Sequence, residues 1–137
     1  MGLVLDASVL IAAEREAKPV SEVLLMLEQQ HGETEIILSA ITVIEMEHGF
    51  HRANTPERAK RRRDYLDTAF AAIPTEPFTK EMAQLAAKID AEAKKKGTVI
   101  PFADLLIGIT ALHFGYAAGT RNERHFKMIP DLKIISL

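Results

Sequence analysis

The chain has no cysteine. That excludes a disulfide framework, a zinc ribbon and a thiol nucleophile, and it fits a reducing cytoplasm. Without thiols, any metal site must use carboxylate, carbonyl or imidazole, a donor set that favours hard ions such as Mg²⁺ or Mn²⁺. Positive charge is not in excess: 17 basic against 19 acidic residues leave a net charge of −2. No global field draws in a polyanion, so one would have to be held by a local patch. Long hydrophobic runs are missing too. Met1 to Ala13 lacks the basic start of a signal sequence and is interrupted by Asp6. Phe102 to Ala118 carries Asp104 and His113 and is too short to span a bilayer. The expectation is a cytoplasmic protein with no membrane segment. No internal repeat, low-complexity tract or linker divides the 137 residues. That length suits one domain, 1–137, with a single core.

What is present reads as strands alternating with helices. Gly2 to Leu5 is a short apolar run ending at Asp6, and a helix follows through Val9 to Glu16. Pro19 starts a second helix to about Gln30, with Val20, Val23, Leu24 and Leu27 at helical spacing and Gly32 as its stop. Ile36 to Leu38 is a buried strand and Ser39 to Ala53 a helix. Thr55 as N-cap and Pro56 at the first helical position open another, with Ala59, Leu66 and Phe70 inward, ending before Pro74. Thr79 caps a long helix striped by Met82, Leu85, Ala86, Ile89 and Ala93 and closed by Gly97. Pro101 opens a helix from Phe102 to about Phe114 that is apolar nearly all round, hence central. Tyr116 to Thr120 and Lys133 to Leu137 read as the last strands. The alternation predicts an α/β fold with a parallel sheet between two helical layers.

Three acids stand out because each is embedded in an apolar segment: Asp6 after the first strand, Glu45 among Ile41, Ile44 and Met46, and Asp104 before Leu-Leu-Ile-Gly-Ile. Ligands in open parallel sheets bind beyond the carboxyl ends of the strands. Asp6 falls at such an end, Ser39 and Glu45 follow the second strand, and Thr120 and Asn122 follow the strand 116–120. Each acid has an ordinary structural role open to it. Asp6 can N-cap a helix, Asp104 can be a first-turn acid favoured by the helix dipole, and Thr42-Val-Ile-Glu45 matches a capping box. Unpaired carboxylates in apolar surroundings are costly, and one shared divalent cation removes that cost for all of them. Carboxylates around Mg²⁺ or Mn²⁺ suit phosphoryl chemistry.

Basic residues cluster in Arg58-Ala-Lys-Arg-Arg-Arg63 and in Lys94 to Lys96. Such runs are commonly solvated helix faces; the denser one can also hold a phosphate backbone or dock an acidic partner. Glu45, His48 and His51 resemble half of a di-iron bundle site, which needs a second copy that is absent here. His31 is read as a surface residue and His113 as a core filler.

Asp6-Ala-Ser, Ser39-Ala-Ile-Thr-Val-Ile-Glu45-Met, Ala103-Asp104-Leu-Leu-Ile-Gly-Ile-Thr-Ala-Leu and Thr120-Arg-Asn122-Glu-Arg-His125-Phe occur in that order. Together they resemble the PIN-domain family, and within it the VapC-type toxins of bacterial toxin–antitoxin pairs. The resemblance spans essentially the whole chain. It implies a three-layer α/β/α sandwich with a central, mostly parallel sheet. It also implies a Mg²⁺- or Mn²⁺-dependent endoribonuclease that uses metal-activated water. The family's three acids carry onto Asp6, Glu45 and Asp104, and Ser8 and Thr120 match small hydroxyl positions that support them. The chain departs from the family at a fourth acid, expected at the position of Asn122 or His125. Asn122 offers a carbonyl, His125 an imidazole for Mn²⁺ or a phosphate contact, and Glu123 lies outside the motif. The resemblance further implies a homodimer, an antitoxin partner that inserts a basic residue into the acidic pocket, and a tRNA or ribosomal RNA loop as target. Arg61, Arg62, Arg63 and Arg121 are the candidate RNA contacts.

Three other classes compete. A haloacid dehalogenase-type phosphatase needs a second acid two residues after the first, where this chain has Ser8. A receiver domain needs a second acid beside Asp6, and none is there. A catalytically degenerate RNA- or protein-binding module fits the missing fourth acid.

Overall fold

A computed structural model describes all 137 residues. Strands β1 (Gly2–Leu5), β2 (Glu35–Ser39), β3 (Thr75–Glu76), β4 (Ala117–Thr120) and β5 (Ile134–Ser136) form one sheet in the order β3-β2-β1-β4-β5. Every neighbouring pair is parallel. Between the strands run α1 (Ala7–Arg15), α2 (Val20–His31), α3 (Ala40–His51), α4 (Pro56–Ala72), α5 (Lys80–Lys95) and α6 (Phe102–Phe114).

β1 lies at the centre, with Leu3 paired to Ile36 on one side and Ala117 on the other. Both of its faces are covered, which is why Gly-Leu-Val-Leu contains no polar residue. Side chains alternate across the sheet. Leu3 and Leu5 join a core with Leu10, Leu27, Met46 and Leu66 from α1 to α4. Val4 joins the opposite core with Met82, Ile89, Leu105, Ile109 and Phe126. The sheet thus separates two apolar clusters, and the architecture is the three-layer α/β/α sandwich.

The helix starts follow their capping chemistry. Thr55 accepts the Arg58 N–H with Pro56 in the first turn, and Thr79 accepts the Met82 N–H. Helix α6 is buried along most of its length, from Leu105 through Ala111, as its composition predicts. Gly108 lets it approach the loop after β4: a Cβ there would collide with Ile129 and press on Leu132.

Some expectations need correction. β3 has two residues and no apolar pattern of its own; it is defined by pairing with Leu38 and Ser39. Ser39, not Thr42, caps α3, accepting the Ile41 N–H at 3.1 Å. Thr42 lies a turn inside the helix with its hydroxyl buried, so Thr42 and Glu45 form no capping box. On α4 the fully buried residues are Leu66 and Ala69, with Phe70 only partly covered. His113 is exposed, while His31 is half-buried with its Nε2 shielded from solvent.

Candidate functional site

Because all five strands are parallel, the carboxyl ends of β1, β2 and β4 share one edge, and Asp6, Ser39 and Thr120 meet there. Asp6 occupies the N-cap position of α1, yet its side chain makes no cap bond. Its Oδ2 instead accepts the Ser8 hydroxyl at 2.7 Å and the Thr120 hydroxyl at 2.9 Å. Those hydroxyls are oriented from behind. Ser8 Oγ accepts the Arg121 N–H at 3.1 Å, and Thr120 Oγ1 accepts the Asn122 N–H at 2.9 Å. A hydroxyl that takes a backbone N–H turns its own proton elsewhere, here to the carboxylate. The loop after β4 thereby locks Asp6, which is only 6% exposed.

Glu45 projects from the second turn of α3. Its Oε1 is buried without a partner. Burial, then the charges of Asp6 and Asp104, push its carboxyl up to about 7. Asp104 stands in the first turn of α6. Burial also raises its proton affinity, the His125 imidazole offsets part of that, and Asp6 adds to it. His125 Nδ1 lies 2.7 Å from Asp104 Oδ2. The imidazole makes no cap bond to the short 3-10 turn Phe126–Met128 that it precedes. Its partner is the acid.

The three acids therefore share one electrostatic environment, which the ordinary structural roles do not explain. Asp6 and Asp104 raise the proton affinity of Glu45, and Asp6 raises that of Asp104, though no three acidic or imidazole side chains converge into a ready-made cage. Sharing an ion requires the side chains to close in. The donor set fits a hard divalent cation: carboxylates only, one oxygen buried and unpartnered, and no basic side chain other than His125 bonded to any of the three.

The remaining residues divide. Asn122 is exposed, and its side chain makes no hydrogen bond. Arg63 is held in a two-pronged pair with Glu47 at 2.8 Å, a further bond to Asp67, and a stack over Phe50. Arg121 pairs with Glu16 at 3.1 Å, and Arg62 with Glu14 at 2.6 Å. Arg61 alone among these arginines is exposed and unpaired. The Asp104–His125 pair spans 21 residues, and spacing along the chain gave no sign of it.

The hydroxyl lock is testable. Thr120→Val keeps shape and removes a hydrogen bond to a buried carboxylate. Urea unfolding is expected to show a loss of about 1.5–3 kcal/mol. A loss below a few tenths would mean that Thr120 does not hold Asp6.

Residues 3–132 match the family profile described as PIN domain. The chain belongs to the PIN-domain family. Over 137 residues it is 28% identical to a protein named ribonuclease VapC from Rickettsia bellii, covering all of this chain and 97% of the relative. It is also 28% identical to ribonuclease VapC1 of Rickettsia felis, with the same coverage. Among solved structures it resembles VapBC2 of Rickettsia felis bound to a promoter DNA fragment, with TM-score 0.84 and 22% identity, covering 100% of this chain and 99% of that one. It also resembles FitAcB of Neisseria gonorrhoeae, with TM-score 0.78 and 26% identity, covering 98% and 96%. No helix of the chain is long and apolar enough to cross a membrane.

Proposed function

We propose that the protein is a metal-dependent endoribonuclease that hydrolyses RNA phosphodiester bonds and serves as the toxin of a toxin–antitoxin pair. The observation that carries this proposal is the trio Asp6, Glu45 and Asp104. Two of these acids have a raised proton affinity, and one oxygen is buried without a partner. The relatives named ribonuclease VapC support the same activity.

Asp6, Glu45 and Asp104 are the residues that would hold Mg²⁺ or Mn²⁺. Bound there, such an ion lowers the pKa of water and neutralises charge on a phosphate. Ser8 and Thr120 keep Asp6 aimed. His125 steadies Asp104 and stands where the family's fourth acid is missing; Asn122 offers a carbonyl at the exposed rim. Glu45, whose carboxyl is pushed up to about 7 by burial and by Asp6 and Asp104, would give up its proton for the cation it holds.

The same lack of counter-charge suits neutralisation by an antitoxin, because an inserted guanidinium can replace the cation. Neighbours such as the VapBC2 complex support a protein partner of that kind. A homodimer, a cytoplasmic location and a tRNA or ribosomal RNA target belong to the same proposal.

The test is cleavage of structured RNAs by the purified protein in Mn²⁺, in Mg²⁺ and in EDTA, with Asp104→Asn alongside. Cuts that need metal and vanish in the variant are the expected result. Bound metal with no cleavage of any RNA would favour the degenerate binding module, which the missing fourth acid also supports.

A further inference from the structure

A cavity of about 660 Å³, separate from the acidic trio, is lined by Arg52, Arg58, Arg61 and Arg62. Its volume is within the range of about 300–1,000 Å³ common for ligand sites. Glu14 is its single acidic wall, and Glu14 is already paired with Arg62. Arg58 bonds only the neutral Asn54 side chain, and Arg52 and Arg61 have no partner. Three uncompensated guanidiniums thus face one hollow on a protein of net charge −2. Like charges held together are unfavourable unless an anion completes them.

One polar atom of the wall can serve an anion. The Tyr65 hydroxyl is buried without a partner. Burial and Glu14 push the phenol up to about 12, so it stays a proton donor. Arg62 crosses α3 directly over Gly49, where a Cβ would displace its guanidinium. The hollow also adjoins one of the acids. Glu14, Gly49, Arg62 and Tyr65 line a second, narrow crevice of about 30 Å³ whose other walls include Glu45.

We propose that this cavity is an anion subsite for the RNA backbone, with Arg52, Arg58 and Arg61 holding a phosphate beside the one at the acidic trio. It rests on the nuclease proposal and adds the surface that positions the substrate. An acidic peptide lying over the arginines would next meet Glu45 and be repelled. A phosphodiester chain reaches it with a cation as counter-charge. Arg58 and Arg61 belong to the basic run noted in the sequence and Arg52 lies outside it, while Arg63 and Arg121 take no part, being held by carboxylates.

The experiment compares wild-type protein with Arg52→Gln/Arg58→Gln/Arg61→Gln and with Lys88→Gln/Lys95→Gln/Lys96→Gln, which makes the same charge change on α5 and the turn that follows it. The probe is a labelled single-stranded RNA of mixed sequence, titrated in EDTA at several salt concentrations. The arginine variant is expected to bind at least about tenfold more weakly, and its log–log salt slope to be shallower by about 0.7, the contribution of one single-strand phosphate contact. KM in the cleavage assay should rise with kcat within about twofold. The lysine variant should stay within about twofold throughout, and unfolding midpoints should be unchanged because all six side chains are exposed.

Equal losses in both variants, or an unchanged slope, would overturn the subsite. Retained RNA affinity with loss of binding to polyglutamate would assign the cavity to an acidic peptide instead. Wild-type cleavage with an unaltered KM in the arginine variant refutes the cavity alone. Wild-type protein that neither binds nor cuts RNA refutes the nuclease proposal together with it.

Discussion

Glu45→Gln is expected to abolish RNA cleavage and, at the same time, to raise the stability of the protein above pH 7. The two effects share one cause. Glu45 is half-buried, one of its oxygens has no partner, and Asp6 and Asp104 repel its charge. Its carboxyl lies at about 7 in the fold against 4.5 outside it. A carboxyl raised on folding favours the folded state while protonated, so that contribution is complete below about 4.5 and is lost as pH climbs through about 7. Glutamine has the same shape and never ionises. At 1.36 kcal/mol per pH unit the difference would approach roughly 3 kcal/mol unscreened. With half of the group meeting solvent, about 1–2 kcal/mol is expected. Urea unfolding at pH 4 to 8 should show the variant and wild type converging at the acid end and separating toward neutrality. Added Mn²⁺ should stabilise wild type more than the variant. Cleavage should fall about 10²-fold or more, the scale of a positioned catalytic group. A variant that cuts normally, or is less stable than wild type at neutral pH, would remove Glu45 from the site.

Phe126→Ala is expected to cause the largest loss of stability from a single truncation, about 3–5 kcal/mol. Phe126 is 1% exposed and fills the core formed by α5, α6 and the outer face of β1 and β4. It anchors the 3-10 turn next to His125, while Ile129 and Leu132 press the following residues against Gly108. Losing that anchor releases the imidazole that offsets burial at Asp104. Two readouts should therefore move together: the urea midpoint falls, and the Asp104 carboxyl titrates at higher pH than in wild type. A destabilised variant with an unchanged Asp104 titration would show that His125 is held by something other than Phe126.

Much of this could be read along the chain, because the informative signals were local. A four-residue apolar strand before an acid, Thr55-Pro56, the stripe on α5 and the all-apolar α6 are contained in single elements. The three acids were conspicuous for the same reason: each sits alone in an apolar segment. What escaped depends on distant partners. β3 is two polar residues that become a strand only by lying beside Leu38 and Ser39. Thr42 and Glu45 have the spacing of a capping box, but Ser39 already supplies the cap. The arginine run looked uniform, yet Arg62 is claimed by Glu14, 48 positions away, and Arg63 by Glu47, 16 away. Arg52 belongs to a different helix end and joins the cavity only through the α3–α4 turn.

The position of β1 has a consequence for the birth of the molecule. The first of the five strands along the chain is the middle of the sheet, and one of its two neighbours, β4, is the fourth to be made. The bond that fixes Asp6 to Thr120 closes a loop of 114 residues. Chains that stop before Thr120 lack a sheet partner for β1, the lock on Asp6 and the imidazole beside Asp104. Such long-range pairings form late and slowly. A nascent chain surrounded by ribosomal RNA and tRNA thus carries all three acids in its exposed length well before it can assemble them, and their assembly waits until Thr120 and His125 have been made.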